Sequence, residues 1–326
     1  MAGEKTYQVR GHEKEEAVLA KTLLHNKVFP TWIFHGRSGI GKARMAVKFA
    51  KRLLSNTITY ENTLDLDQTD PIHKLVDSRM HPDFFVLEQI DESLSIADTR
   101  KLFLRIKKSP AMSKWRVVIL EDTSNLNKNT YNSLLKILEE PPKDTAIIMI
   151  CDNLNIIPLT LLSRSAKIYF HPLEESIVKR ILDDMQVKNA ERLAQLSEGS
   201  VGHALLLHEN NGIEIYDNIL KAFFHEGTLY QQTLKWIIDN NLCDNFELIK
   251  ASILRILKIY VEMLGGIGNE KFKEEIEILK PTVAKKDHID NEIKKIQEIV
   301  LLINMSKALI LAPNAVILNV FERFFR

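Results

Sequence analysis

The run Gly36-Arg37-Ser38-Gly39-Ile40-Gly41-Lys42-Ala43 has the residue types and spacing to cradle phosphate. Its glycines let backbone N–H groups approach phosphate oxygens, and Lys42 brings an ammonium to the outer phosphates of a nucleotide. The full pattern is Gly, four residues, Gly, Lys, then Ser or Thr. That last hydroxyl holds Mg²⁺ for hydrolysis, and Ala43 has none. Two alternatives follow. Either Gly36, Gly39, Gly41, Lys42 and Ala43 bind ATP or ADP with little turnover, Mg²⁺ entering only with the nucleotide, or the loop has given up nucleotide altogether.

Two further groups bear on the same chemistry. The apolar run Arg116–Leu120 ends in Glu121 and Asp122. A strand ending in acids is where a metal-holding carboxylate and a water-activating one are placed. The usual order is Asp then Glu; here it is reversed, so each side chain changes reach by one methylene. A base displaced by about 1 Å can cost roughly 10²-fold in rate. The plainer alternative is a strand end with two solvated acids. The segment Pro158–Ser165 carries Arg164. A guanidinium delivered in trans onto a γ-phosphate is worth about 10³–10⁵ in rate; the alternative is an ordinary surface arginine.

The elements that must position these groups are legible as a pattern. Trp32–Phe34, Phe84–Leu87, Val117–Leu120 and Ala146–Cys151 read as buried parallel strands. Helical stretches separate them: Lys42–Leu54, Ile96–Lys108 and Asn129–Glu140, the last stopped by Pro141 and Pro142. Ser55–Met80 is polar and mixed. From Glu174 the chain turns helical, with Glu174–Met185, Ala190–Leu196 and Ala204–Leu207 as short helices. Farther on, Ile249, Ile253, Ile256, Leu257 and Tyr260 fall on one face, as do Ile293, Ile296, Val300 and Ile303. Pro281 and Pro313 punctuate this region. The expectation is an α/β domain with a parallel sheet flanked by helices (1–171), a small helical domain (172–208) and an all-α domain (209–326).

Composition excludes several classes. The 326 residues are 45% hydrophobic and 27% charged, an ordinary globular make-up, and a net charge of +1 gives no global pull toward nucleic acid. Two cysteines, Cys151 and Cys243, are too few for a disulfide framework or a cysteine-rich zinc site and fit a reducing cytoplasm. No metal site is expected. The charged start of the chain lacks a signal-peptide core, and no apolar run approaches a membrane span.

In order and spacing, Gly11-His12-Glu13, the loop Gly36–Lys42, His81-Pro82-Asp83, the helix Asn132–Pro142 and Thr160–Ser165 resemble the bacterial AAA+ clamp-loader family, in particular its delta-prime type of subunit. The resemblance covers about residues 7–208. It implies an AAA+ P-loop domain, a helical lid and a C-terminal collar that joins a ring. It implies gamma/tau and delta subunits as partners, the beta sliding clamp and primed DNA reached through the complex, no membrane, and a bacterial cytoplasmic location. Delta-prime subunits do not hydrolyse ATP; they supply an arginine to a neighbour's ATP site, and that arginine maps onto Arg164. Here Ser165 follows it where the family pattern is Ser-Arg-Cys. Gly202 and His203 stand where gamma/tau carry an arginine. Cysteines that bind zinc in relatives are absent from Ser55–Met80, so no zinc is expected. The basic residues Arg100, Lys101, Arg105, Lys107 and Lys108 lie on a helix that faces DNA in such loaders, against the alternative of a solvated face. The same residues leave two other readings open: an active gamma/tau-like ATPase, and a P-loop kinase acting on a small molecule.

Overall fold

The computed structural model describes residues 9–25, 27–55, 63–87, 106, 108–121, 123, 135, 137–138, 140–224, 229–240, 245–267, 272–283, 289–306 and 311–325. These residues divide into two compact units, Met1–Ala204 and Leu205–Arg326.

The first unit is built on five parallel strands: β1 (Thr31–His35), β2 (Phe84–Leu87), β3 (Arg116–Leu120), β4 (Thr145–Cys151) and β5 (Ala166–Tyr169), in the order β2-β3-β4-β1-β5. Every strand expected from the sequence is present. β5 is an addition. Its Ile168 is buried, but Lys167 and Tyr169 are exposed, so this edge strand lacks the continuous apolar run that marks a strand covered on both faces.

Period-two alternation sends side chains into two cores. Trp32, Phe34, Val117, Ile119, Ala146 and Ile148 pack on one side with Leu19 of α1 (Glu13–Leu24) and Met45, Phe49 and Leu53 of α2 (Lys42–Leu54). Ile33, Val118, Leu120, Ile147, Met149 and Cys151 pack on the other with Ile106, Ile137, Leu138, Ile157 and Leu161. Truncating Phe49, fully buried, would cost about 3–5 kcal/mol. Cys151 is equally buried, and burial pushes its thiol up to about 11, so it stays a neutral packing group.

His81 and Asp83 anchor the N-terminal end of the sheet, next to α3 (Ile72–Asp77). Asp83 is fully buried. Its carboxylate accepts from the backbone N–H groups of Ala111, Met112 and Ser113 at 2.7, 2.7 and 3.0 Å, and from Arg116 at 3.3 Å. Burial opposes its charge, but these donors outweigh it and hold its pKa below the usual carboxylate value. His81 Nδ1 accepts from the Asp83 N–H at 3.1 Å, so Nε2 carries the proton and donates to Ser113 Oγ at 3.3 Å. Ser113 Oγ in turn donates to the Leu54 carbonyl at 2.6 Å. Burial, partly offset by Asp83, lowers the pKa of His81.

The unit continues through a 3₁₀ turn (Leu154–Ile156), α4 (Leu159–Leu162), α5 (Glu175–Asp184), α6 (Ala190–Ser197) and the start of α7 (Val201–Glu209), the helix in which the division at Ala204 falls. The second unit is helical among its described residues: α8 (Gly212–Phe224), α9 (Leu229–Asp239), α10 (Phe246–Leu264), α11 (Lys273–Val283), α12 (Ile289–Met305) and α13 (Pro313–Phe325). α10 packs on α8, α11 and α12, and α12 on α13. Ile249, Ile253, Ile256, Leu257 and Tyr260 are buried together as their spacing predicts. On α12 the buried stripe is Glu292, Ile296, Ile299 and Ile303. It is rotated from the expected one because Glu292 turns inward to accept from Tyr260 Oη at 3.3 Å. Pro313 opens α13, where its missing N–H costs nothing. Pro281, expected to break the chain, lies in the last turn of α11. No helix of the described residues is long and apolar enough to cross a membrane.

Candidate functional site

The glycine-rich loop leaves the C-terminal end of β1 and enters α2, in the crevice at the carboxyl ends of the strands where α/β sheets bind ligands. Its path demands small residues. Gly36 has φ of +143°, and a Cβ there would meet the Phe170 carbonyl oxygen at 2.4 Å. His12, at the start of α1, supports the loop from below: its buried ring donates from Nε2 to the Ile40 carbonyl at 2.7 Å.

Lys42 is buried, and its ammonium is engaged by its own chain. Nζ donates to the carbonyls of Gly36 at 2.5 Å and Arg37 at 2.7 Å, and to Asp152 Oδ1 at 2.8 Å. A lysine has three N–H donors, so a phosphate oxygen would have to displace one of these acceptors. Asp152 directly follows β4, the neighbour of β1 in the sheet. Sequence reasoning missed Asp152 because strand order is not visible in a pattern. The signal available was its place at the end of an apolar run, the rule that singled out Glu121. Ala43, the second residue of α2, packs partly buried against the core, where a methyl group fits and no hydroxyl is offered. His35, at the end of β1, has its pKa lowered by burial, with Lys42 and Lys167 adding to the effect.

The segment leading into α7, with the first turn of that helix, closes on the loop. Arg37 pairs with Glu198 at 2.6 Å, Ser200 Oγ donates to the Ser38 carbonyl at 2.9 Å, and the Gly202 N–H donates to the Gly39 carbonyl at 2.9 Å. A Cβ on Gly202 would lie 2.7 Å from Gly39 Cα, so the two backbones touch where no side chain fits. Gly202 therefore permits this contact, which any side chain would block.

The remaining expected residues are scattered. The backbone N–H of Glu121 donates to the Leu87 carbonyl at 3.0 Å, extending the strand ladder, and its side chain is half-buried. Asp122 lies outside the described residues, as do Arg100, Lys101, Arg105 and Lys107; Lys108 is exposed. Of the helix expected over Asn129–Glu140, only Leu135, Ile137, Leu138 and Glu140 are described. Arg164 sits two residues past α4, exposed, and its guanidinium has no hydrogen-bond or ion-pair partner among the described residues. Its backbone is fixed: its N–H donates to the Leu161 carbonyl at 3.1 Å, and buried Ser165 donates from Oγ to the same carbonyl at 2.8 Å.

The family model described as "DNA polymerase III, delta subunit" matches residues 11–174, half of the chain, including the loop, Asp152 and Arg164. The chain belongs to that family. It is thus a member of the DNA polymerase III clamp-loader family, with an AAA+ P-loop domain followed by helices. Among relatives, DNA polymerase III subunit gamma of Buchnera aphidicola subsp. Baizongia pistaciae is 23% identical over 89% of this chain and 82% of its own length. Subunit tau of Escherichia coli is 27% identical over 61% of this chain, which spans about a third (32%) of that longer protein. Subunit delta' of Bacillus subtilis is 25% identical over 60% of this chain and 58% of its own length. Among solved structures, a gamma subunit-related protein of Thermotoga maritima aligns over 95% of this chain and 98% of its own, at 13% identity and a TM-score of 0.47.

Proposed function

We propose that this chain is a delta-prime-like, non-hydrolysing subunit of the bacterial replicative clamp loader. It supplies Arg164 to the ATP site of a neighbouring gamma/tau subunit, so that the complex loads the beta sliding clamp on primed DNA. The observation that carries the reading is the state of Lys42: all three ammonium protons have acceptors within the chain. Ala43 in the metal-holding position and the Gly39–Gly202 contact support it further. Within this chain no step runs through a nucleotide of its own. Lys42 braces the loop, and Arg164 is the group left to act outward. A guanidinium reaching a γ-phosphate in trans stabilises the charge that develops in transfer, an effect of about 10³–10⁵ in rate.

In this reading residues 1–171 form the P-loop domain, 172–208 a lid and 209–326 a collar that joins the ring alongside gamma/tau and delta. Lys108, with Arg100, Lys101 and Arg105, faces the DNA, and the protein works in the cytoplasm. Zinc has no part in this reading, because residues 55–80 carry no cysteine to hold it.

The Buchnera gamma match over 82% of that protein favours a second reading, an active gamma/tau-like ATPase. One experiment separates the two. ATP binding and hydrolysis are measured for the purified chain, then with purified gamma/tau and delta added. The delta-prime reading expects no turnover alone and turnover in the mixture that depends on this chain. Sustained hydrolysis by the chain alone, abolished by Lys42→Ala, would establish the other.

A further inference from the structure

Three rings stand in a row at the carboxyl end of the sheet, and Lys42 and its partners use none of them. His35 ends β1 and sits opposite Tyr169, the last residue of β5. The two share a face, with ring centroids 5.1 Å apart. His171 comes two residues later and meets Tyr169 edge to face at 4.5 Å. Lys167 lies two residues earlier on β5, and so on the same face as Tyr169. The core beneath this face stops short of the row. Ile33, opposite Lys167, is fully buried, whereas Tyr169 is 47% exposed, His171 is exposed and His35 is half-buried. β5 is the last strand of the sheet, so among the described residues no further strand covers the row.

The row has the chemistry of a stacking surface with a cation at its edge. Neither neighbouring ring lies flat on Tyr169: the interplanar angles are 43° and 82°, which leaves ring face open to a planar group. Burial, with Lys42 and Lys167 adding to it, keeps the His35 pKa below its ordinary value, so that ring is neutral at physiological pH. Lys42 is matched by Asp152. Lys167 spends one N–H on the Leu162 carbonyl at 2.8 Å and has no carboxylate partner among the described residues, which leaves two donors for an anion. A quaternary ammonium, the other guest of clustered rings, would be repelled by that charge. A ligand with planar rings on a negative backbone fits both parts of the surface. In a duplex the base faces are stacked on one another; in a single strand they are free to stack on side chains. We propose that His35, Tyr169, His171 and Lys167 form a binding site for single-stranded nucleic acid, its bases stacking on the rings and a phosphate meeting Lys167. The site stands whether or not Arg164 acts in trans. Every base has a π-face, so binding is tolerant of sequence.

The test titrates a short fluorescein-labelled oligothymidylate with the purified full chain and reads anisotropy. Tyr169→Ala should weaken binding by about 5- to 150-fold, the loss of one stacked base. Tyr169→Phe keeps the ring and should bind within about twofold of the unaltered chain. Lys167→Gln should flatten the slope of log affinity against log salt by about 0.7, the share of one phosphate on a single strand. Irradiating the unaltered chain with a strand carrying 5-iodouracil should cross-link it at Tyr169 or His171, a readout that needs no variant to fold. Unchanged affinity of a Tyr169→Ala chain shown to be folded by circular dichroism would overturn the proposal. So would an absence of binding by the unaltered chain, or cross-links that fall elsewhere. Duplex DNA binding as tightly as the single strand would overturn it too, because paired bases cannot reach the rings. Displacement of the strand by equimolar ATP would overturn it in favour of a site for free nucleotide.

Discussion

Replacing Lys42 with methionine separates a structural lysine from a phosphate-binding one. In a loop that waits for nucleotide, the lysine contributes little to the stability of the free protein. Here it is a strut. Its loss strands the buried Gly36 carbonyl and the part-buried Arg37 carbonyl and removes a partner of Asp152. Each orphaned buried acceptor costs about 1–3 kcal/mol. Asp152 has a side chain 51% exposed, so its share is screened and adds at most about 1 kcal/mol. Methionine recovers some packing, which leaves about 2–4 kcal/mol. For a unit of this size that is a fall of roughly 5–15 °C in Tm. The assay is urea or thermal unfolding without nucleotide, followed by tryptophan fluorescence. Trp32 and Trp115 belong to the first unit, and Trp236→Phe silences the second. A loss below about 0.5 kcal/mol would refute the strut, as would a large Tm rise of the unaltered chain with ATP that Lys42→Met abolishes.

Gly202→Ala should destabilise the first unit by about 1–3 kcal/mol, because the new methyl would meet Gly39 Cα at 2.7 Å; an unchanged unfolding midpoint would contradict the close contact. Asp83→Asn should cost about 3–5 kcal/mol in urea unfolding, since it leaves Arg116 buried opposite a neutral group and mismatches backbone donors. Both His81 and Asp83 have folded pKa values below their unfolded ones, so each stabilises the fold above its unfolded pKa. Stability should therefore fall as pH drops below about 6.5, where the unfolded histidine protonates first, and again below about 3.9 for the carboxylate. Asp83→Asn should flatten the second fall, and an unaltered acid limb would count against the assignment.

Much of this was legible because the relevant patterns are local. Trp32–Phe34 and Ala146–Cys151 carry enough apolar residues in a row to specify buried strands, and Lys42–Leu54 has the bounds of α2 as found. What escaped depends on pairing across the chain. β5 hid because an edge strand with Lys167 and Tyr169 facing out has no apolar run. Asp152 became a partner of Lys42 only once β4 was seen beside β1. The Gly39–Gly202 contact joins positions far apart in sequence, and a glycine in a pattern announces freedom without saying what approaches it. The stripe on α12 shifted because Glu292, a charged residue that periodicity assigns to water, is held inside by Tyr260, whose pKa is driven up by burial and by that same carboxylate.

The account stands on a division of labour: one basic group held inside, another presented outside. The direct measurement is DNA-stimulated ATPase of the complex reconstituted from gamma/tau, delta and either the unaltered chain or Arg164→Ala, with assembly checked by sedimentation. The expected result is normal assembly with a loss of turnover at the sites bordering this chain, up to the 10³–10⁵ attributed to such an arginine. Full ATPase from a normally assembled Arg164→Ala complex would contradict it.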